Sequence, residues 1–380
     1  MTLAASSGRA RAAMAGSIRI GALLPLTGAG GPFGPSMAAL HKQIVDQVNA
    51  AGGIEGQRVE YSFEDDQTNP DAAVLGVRKL IDVNKVCAVM GLWSSGVAAP
   101  TLPICAENKV VMVAIAASDS LALQKHDGYF FRSNVDVGQQ GEAIGNWALK
   151  QGGKSLFGLL AQNPFSEPMR LGLVNTIQPK GMKAETIVYD GRRTDFRAEV
   201  GQALQAKPDI LFLGGYPQDS IIIMKEVFRA GYGGKIVGTG TCVTQQFLDG
   251  VGKQVSEGIY TVRPSSAVGS PAYKNLQKLT GKTDLDTNVC QSYDQINLVL
   301  LAIAQAKQAT GTAVRDNMRK IGDPNGEKVD NVLDGLKLIA AGKSINYEGA
   351  ASPCKFTPTG NLVSAIFETL RVADGKLTPG

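Results

Sequence analysis

The residues best suited to chemistry are two serines where a strand gives way to a helix, in Trp93-Ser94-Ser95-Gly96. Hydroxyls and backbone N–H groups at the start of a helix can hold a negatively charged oxygen. The first-turn amides lack intrahelical acceptors, and the helix dipole is positive at that end. Serine in front of a helix is also the ordinary N-cap, and one residue can do both. A carboxylate pair occurs at Asp65-Asp66, inside Glu64-Asp65-Asp66-Gln67. Such a pair could do acid–base work; a structural role is the alternative. Tyr293-Asp294, near the start of a long helix, reads as a cap and a contact between lobes.

Other chemistries are poorly served. Gly28, Gly30 and Gly34 follow a strand and precede a helix, and Asp65 ends the next strand. That pattern suggests a nucleotide-dependent oxidoreductase. However, Pro32 and Pro35 remove two backbone donors from the loop, and Asp65 lies beyond the usual spacing for a ribose-binding acid. No Gly-x-Ser-x-Gly elbow supports a hydrolase. With two histidines and no Cys-x-x-Cys pair, a zinc site is not expected; no cofactor is expected either. The net charge of +4 is scattered, without the basic block of a nucleic-acid binder. No apolar run approaches the ~20 residues of a membrane helix.

Cys87 and Cys105, on a strand and the helix after it, could pair, as could Cys290 and Cys354. Five buried thiols are the alternative. Residues 1–17 are small and polar, without the apolar core of a signal peptide; they are expected to be disordered.

The elements that must position these residues alternate. Strands are expected at 18–24, 58–63, 86–90 and 110–115, with helices at 36–50, 70–83 and 97–107 between them. Asn69-Pro70 is a helix start, with Asn as cap and Pro at the first helical position. A second series follows: strands at 155–160, 184–189, 210–213 and 235–238, with helices at 138–150, 167–178, 196–205 and 220–230. Tyr129-Phe130-Phe131-Arg132 reads as a strand crossing between the two series. Beyond Arg263 the pattern becomes helical (271–279, 289–308, 312–320, 331–340), then returns to strand at 362–372. This implies an α/β fold of two doubly wound, mostly parallel sheets flanked by helices.

Several segments carry a resemblance: IGALLPLTG, NAAGGIEGQRVE, EDDQTNPDAA, MGLWSSGVAAP, FLGGYPQDS, SEGIYTVRP and YEGAASPCKFTPTGNL. In order and spacing the chain resembles the branched-chain amino acid-binding family of solute-binding proteins, over about residues 18–377. The resemblance implies a two-lobed type I periplasmic-binding-protein fold with a three-crossing hinge. Lobe 1 would comprise 18–134 and 264–348, and lobe 2 would comprise 135–263 and 349–380. It implies an extracytoplasmic, monomeric protein, not an enzyme, that closes on a small solute and delivers it to the permease of an ATP-driven importer. A ligand sensor of the same fold is the alternative.

The resemblance also implies site residues. The ligand carboxylate would lie on lobe 1, against Trp93, Ser94 and Ser95 and against Ala116, Ala117 and Ser118. Phe33, Phe165 and Tyr216 would cover its apolar part. An acid for the ligand's ammonium is common in the second lobe, but the corresponding loop, Gly238-Thr239-Gly240-Thr241-Cys242, has none. Either Asp190 or Asp219 substitutes, or the ligand is a carboxylate without an ammonium, aromatic or aliphatic, instead of a branched-chain amino acid. The second is the expectation here, with Gly240 and Thr241 lining the site.

Overall fold

The structure is a computed structural model and describes residues 16–28, 30–163 and 165–380. The expected disorder of 1–17 therefore falls, apart from Gly16 and Ser17, outside the described residues. The chain divides into two compact units. The first comprises residues through Ile115, Lys125–Ser133 and Ser270–Gly360. The second comprises Ala116–Gln124, Asn134–Gly269 and Asn361–Gly380.

The first unit is built on five parallel strands: β1 (Ile18–Leu24), β2 (Val59–Asp65), β3 (Ala88–Gly91), β4 (Val111–Ala114) and β5 (Phe130–Arg132). Their spatial order is β2-β1-β3-β4-β5. β3 and β4 are buried along their whole length, which is why they read as continuous apolar runs instead of alternating ones. The order reverses between β1 and β3, and at such a point the loops after the two strands diverge and leave a crevice for ligands. Those loops are 25–33 and 92–94. Helix Thr287–Ala306 is buried from Val289 to Ala304 and packs into the same core.

The second unit repeats the arrangement. Its strands are β6 (Ser155–Ala161), β7 (Lys183–Tyr189), β8 (Ile210–Gly214), β9 (Lys235–Thr239) and β10 (Tyr260–Pro264). A short parallel pair, β11 (Glu327–Val329) and β12 (Ile345–Tyr347), belongs to the first unit. The antiparallel strands β13 (Phe367–Ala373) and β14 (Lys376–Pro379) then extend the second sheet, giving the order β7-β6-β8-β9-β10-β13-β14. Here the reversal falls between β6 and β8, beside the loops carrying Phe165 and Tyr216.

Several expectations are corrected. Tyr129–Arg132 is not a crossing strand: Met112, Val113 and Ala114 pair with Phe130, Phe131 and Arg132, so it is the edge strand of the first sheet. Residues 349–360, assigned to lobe 2 from sequence, lie in the first unit. The Asp294 carboxylate accepts hydrogen bonds from the backbone N–H groups of Ala350, Ala351 and Ser352 and from the Tyr347 hydroxyl. Phe356 packs edge-on against Phe131, and the Arg132 N–H donates to Gly360. Asp294 is therefore neither a cap nor a contact between lobes; Asp286 caps the helix. Strand β10 had no counterpart in the sequence reading. No disulfide joins the five cysteines, and all five are buried.

Candidate functional site

In the first unit, the loop after β1 is held by the carboxylate pair. Asp65 Oδ1 accepts from the N–H groups of Leu26 (3.0 Å), Thr27 (3.2 Å) and Gln67 (2.8 Å), and Oδ2 from the Thr27 hydroxyl (2.6 Å). Desolvation opposes its ionisation, but these bonds outweigh it and hold the carboxyl below its ordinary range. Asp66 is fully buried and accepts from Thr68 N–H at 2.7 Å. Burial and, less strongly, the charge of Asp65 push its carboxyl up to about 6, against the pull of the Thr68 bond. Thr68 Oγ1 in turn accepts from Gly30 N–H at 2.9 Å.

The three spaced glycines are explained by close approach, not by phosphate binding. A Cβ on Gly28 would lie 2.1 Å from the Gln67 carbonyl oxygen, and one on Gly34 2.2 Å from that of Pro25. One on Gly30 would lie 2.9 Å from Trp93 Cε3. The loop is thus pressed against the Trp93 segment, and Phe33 stacks on Trp93 with centroids 5.2 Å apart and planes at 29°.

The chain turns sharply after β3. Gly91 has φ +95°, and Leu92 has φ +40°, a left-handed conformation unfavourable for its branched side chain. Leu92 N–H bonds to the Leu23 carbonyl, and Gly91 N–H to Gln295 Oε1. This turn delivers Trp93, Ser94 and Ser95, all half-buried. Ser94 is the N-cap of helix Ser95–Glu107, and its Oγ accepts from Gly96 N–H at 3.3 Å. The indole N–H of Trp93 donates to Asn288 Oδ1 at 3.1 Å. Sequence reading missed Asn288, because it lies 195 residues away on another element.

Ala116, Ala117 and Ser118, expected on lobe 1, lie in the second unit. The neighbouring Asp119 carboxylate accepts from Val137 and Gly138 N–H, and Ala117 packs on the apolar cluster of Val137, Trp147 and Met169. Phe165 packs on that same cluster. Ser118 is 3% exposed, with its hydroxyl 2.8 Å from that of Ser120.

An open pocket of about 510 Å³ lies at the ends of β6, β7 and β8, bordered by Gln162, Asp190, Arg192, Tyr216, Gln218 and Asp219 among others. Of the residues expected at the site, Tyr216 borders it, as do Asp190 and Asp219, the two acids named as substitutes. Phe165, Gly240 and Thr241 do not, and Gly240 instead packs closely on Arg263. Gln162, Arg192 and Gln218 carried no sequence signal beyond being polar at strand or helix ends.

Both acids that could substitute for the missing one are engaged. The Arg192 guanidinium pairs with Asp190 at 2.8 Å and holds its carboxyl down to about 2. Asp219 is 3% exposed; it accepts from Tyr216 and Ser220 N–H through Oδ1 and from the Tyr189 hydroxyl through Oδ2. Burial, reinforced by Asp219, pushes that Tyr189 hydroxyl far above its ordinary range. Among the described residues, no cluster of histidine, cysteine, aspartate or glutamate could hold a metal ion.

The family model described as "Periplasmic binding protein" matches residues 17–367. A Leu/Ile/Val-binding protein homolog of Brucella melitensis is 25% identical, with 99% of this chain and 97% of that protein covered. Among solved structures, the substrate-binding protein LivJ of Streptococcus pneumoniae, in complex with isoleucine, superposes with a TM-score of 0.72 at 22% identity. The match covers 95% of this chain and 98% of that one. A solute-binding protein of Rhodopseudomonas palustris, in complex with 3,4-dihydroxybenzoic acid, gives 0.69 at 21% identity, covering 95% of each chain.

Proposed function

The chain belongs to the periplasmic binding protein family, and from that premise we propose that it is the solute receptor of an ATP-driven importer, binding a small monocarboxylate with an apolar body. The carboxylate is held by Ser94, Ser95 and Ser118, and the apolar part meets Phe33, Trp93, Phe165 and Tyr216. The receptor works outside the cytoplasm as a monomer and hands the solute to a permease. Among the described residues no helix is long and apolar enough to cross a membrane.

The observation that carries the ligand class is the engagement of Asp190 and Asp219. Burying an ammonium without a carboxylate partner costs several kcal/mol, and Asp190 already pairs with Arg192 while Asp219 anchors its own loop. The benzoic acid derivative bound by the Rhodopseudomonas palustris protein is a solute of this kind. A branched-chain amino acid is the second reading, supported by the isoleucine bound to the Streptococcus pneumoniae protein.

Thermal shifts separate the two readings. A ligand at a hundred times its Kd stabilises by about 2.7 kcal/mol, which moves Tm visibly. Benzoate and 3-methylbutanoate are expected to shift Tm while leucine and valine do not; shifts with the amino acids alone would reverse the assignment. Ser94→Ala and Ser118→Ala should each weaken carboxylate binding roughly ten- to a hundredfold by calorimetry, the scale of a lost hydrogen bond to a charged oxygen.

A further inference from the structure

The indole of Trp93 is fixed more firmly than a ring that merely fills a gap. Phe33 stacks on it, and the backbone of Gly30 abuts it so closely that a Cβ would not fit. Its N–H is held by Asn288 Oδ1. The Asn288 amide is oriented in turn: its Nδ2 donates to Asp286 Oδ1 at 2.9 Å, and its backbone N–H donates to the same oxygen at 2.8 Å. A carboxylate only accepts and an indole N–H only donates, so both ends of the relay demand the same amide orientation. Asp286 is itself the N-cap of the long buried helix, so the relay is anchored to the core of the first unit.

Stacked on Phe33 and pinned at its nitrogen, the indole is a planar apolar group held in one orientation. Offset stacking rewards a planar partner beyond its buried area, and a ring held in place before binding loses little entropy when the partner arrives. A saturated ring of the same size offers no flat face and gains less. Building on the carboxylate reading above, we infer that Asn288 is a positioning residue that sets the ligand class. By holding Trp93 it makes the site select planar aryl carboxylates over saturated carboxylates of equal size.

The test measures Kd by calorimetry for benzoate and cyclohexanecarboxylate, in wild type, Asn288→Leu, Asn288→Ser, Trp93→Phe and the Trp93→Phe/Asn288→Leu double variant. Wild type should prefer benzoate. Removing the Asn288 acceptor should cost benzoate about tenfold and cyclohexanecarboxylate less than about twofold. In the Trp93→Phe background, Asn288→Leu should add less than about twofold, because the indole N–H it served is gone. In a Trp147→Phe background, where Trp93 is the remaining tryptophan, Asn288→Leu and Asn288→Ser should each shift its emission.

Equal losses for both ligands, no loss, or an undiminished effect of Asn288→Leu in the Trp93→Phe background would overturn the inference. Carboxylate binding without preference for the flat ring would overturn it while leaving the proposed function standing. Failure of wild type to bind any carboxylate would overturn both.

Discussion

His41 is fully buried between Tyr61, whose hydroxyl lies 3.1 Å from Nδ1, and Ser292, whose hydroxyl lies 2.9 Å from Nε2. Burial pulls its pKa down to about 4, against the bond to the Ser292 carbonyl. Unfolded, the imidazole takes its proton near pH 6.5. Between those values the unfolded chain binds the extra proton, so the stability tied to neutral His41 is present above pH 6.5 and is lost as pH falls toward 4. Asp66 and Asp294, both pushed up to about 6 chiefly by burial, act in the opposite sense: their contribution is full below about pH 3.8 and is lost as pH rises through 6. The intact protein should therefore respond to pH less than His41 alone would dictate. Replacing His41 with Gln isolates its part. The stability difference between wild type and variant, from urea unfolding, should shrink by roughly 3 kcal/mol between pH 7 and pH 4. A difference independent of pH would mean that the ring is not buried neutral.

At the scale of elements, one carboxylate on helix Thr287–Ala306 organises the segment after β12. Asp294→Ala would strip three backbone N–H groups and the Tyr347 hydroxyl of their acceptor. Unsatisfied buried donors are expensive, and a loss of about 3 kcal/mol or more is expected in denaturant unfolding. Gly349→Ala should also destabilise, since its Cβ would lie 2.4 Å from the Asp294 carboxyl group.

The same helix shows where the sequence was legible and where it was not. Its apolar spacing is visible from Val289 onward, so its existence was clear. Its true start was not, because the cap at Asp286 precedes the first periodic residue. Helix Pro70–Asp82 was placed well because Asn69-Pro70 marks it locally, and the Asn69 side chain does accept from Asp71 and Ala72 N–H. Both sheets could be read from alternation of strands and helices. The short strands β11 and β12 could not, since three residues carry no period without a partner. At the candidate site, Ser94 was readable as a helix cap from local turn chemistry, whereas Phe33 was expected only from the family resemblance. Asn288 and the Asp219–Tyr189 pair depend on contacts made only after folding.

At the scale of the whole molecule, the cysteines contribute by packing. All five are buried, and burial pushes the thiols of Cys87, Cys105 and Cys242 up to about 12, which suppresses the reactive thiolate. Tm should be the same with and without dithiothreitol, and a thiol reagent should react with the native protein only as fast as it opens. A fall in Tm on reduction would reveal a disulfide.

The division of the chain into units also bears on the order in which it can be completed during synthesis. β10, in the second sheet, awaits a neighbour that begins at Phe367, after the whole 270–360 segment of the first unit. The first unit's core likewise awaits the helix that begins at Thr287. Contacts so distant in sequence close slowly. A chain made from its amino end therefore has more than two-thirds of its length exposed before either core can be sealed, a long interval in which chaperones or a translocation machine would meet it unfolded.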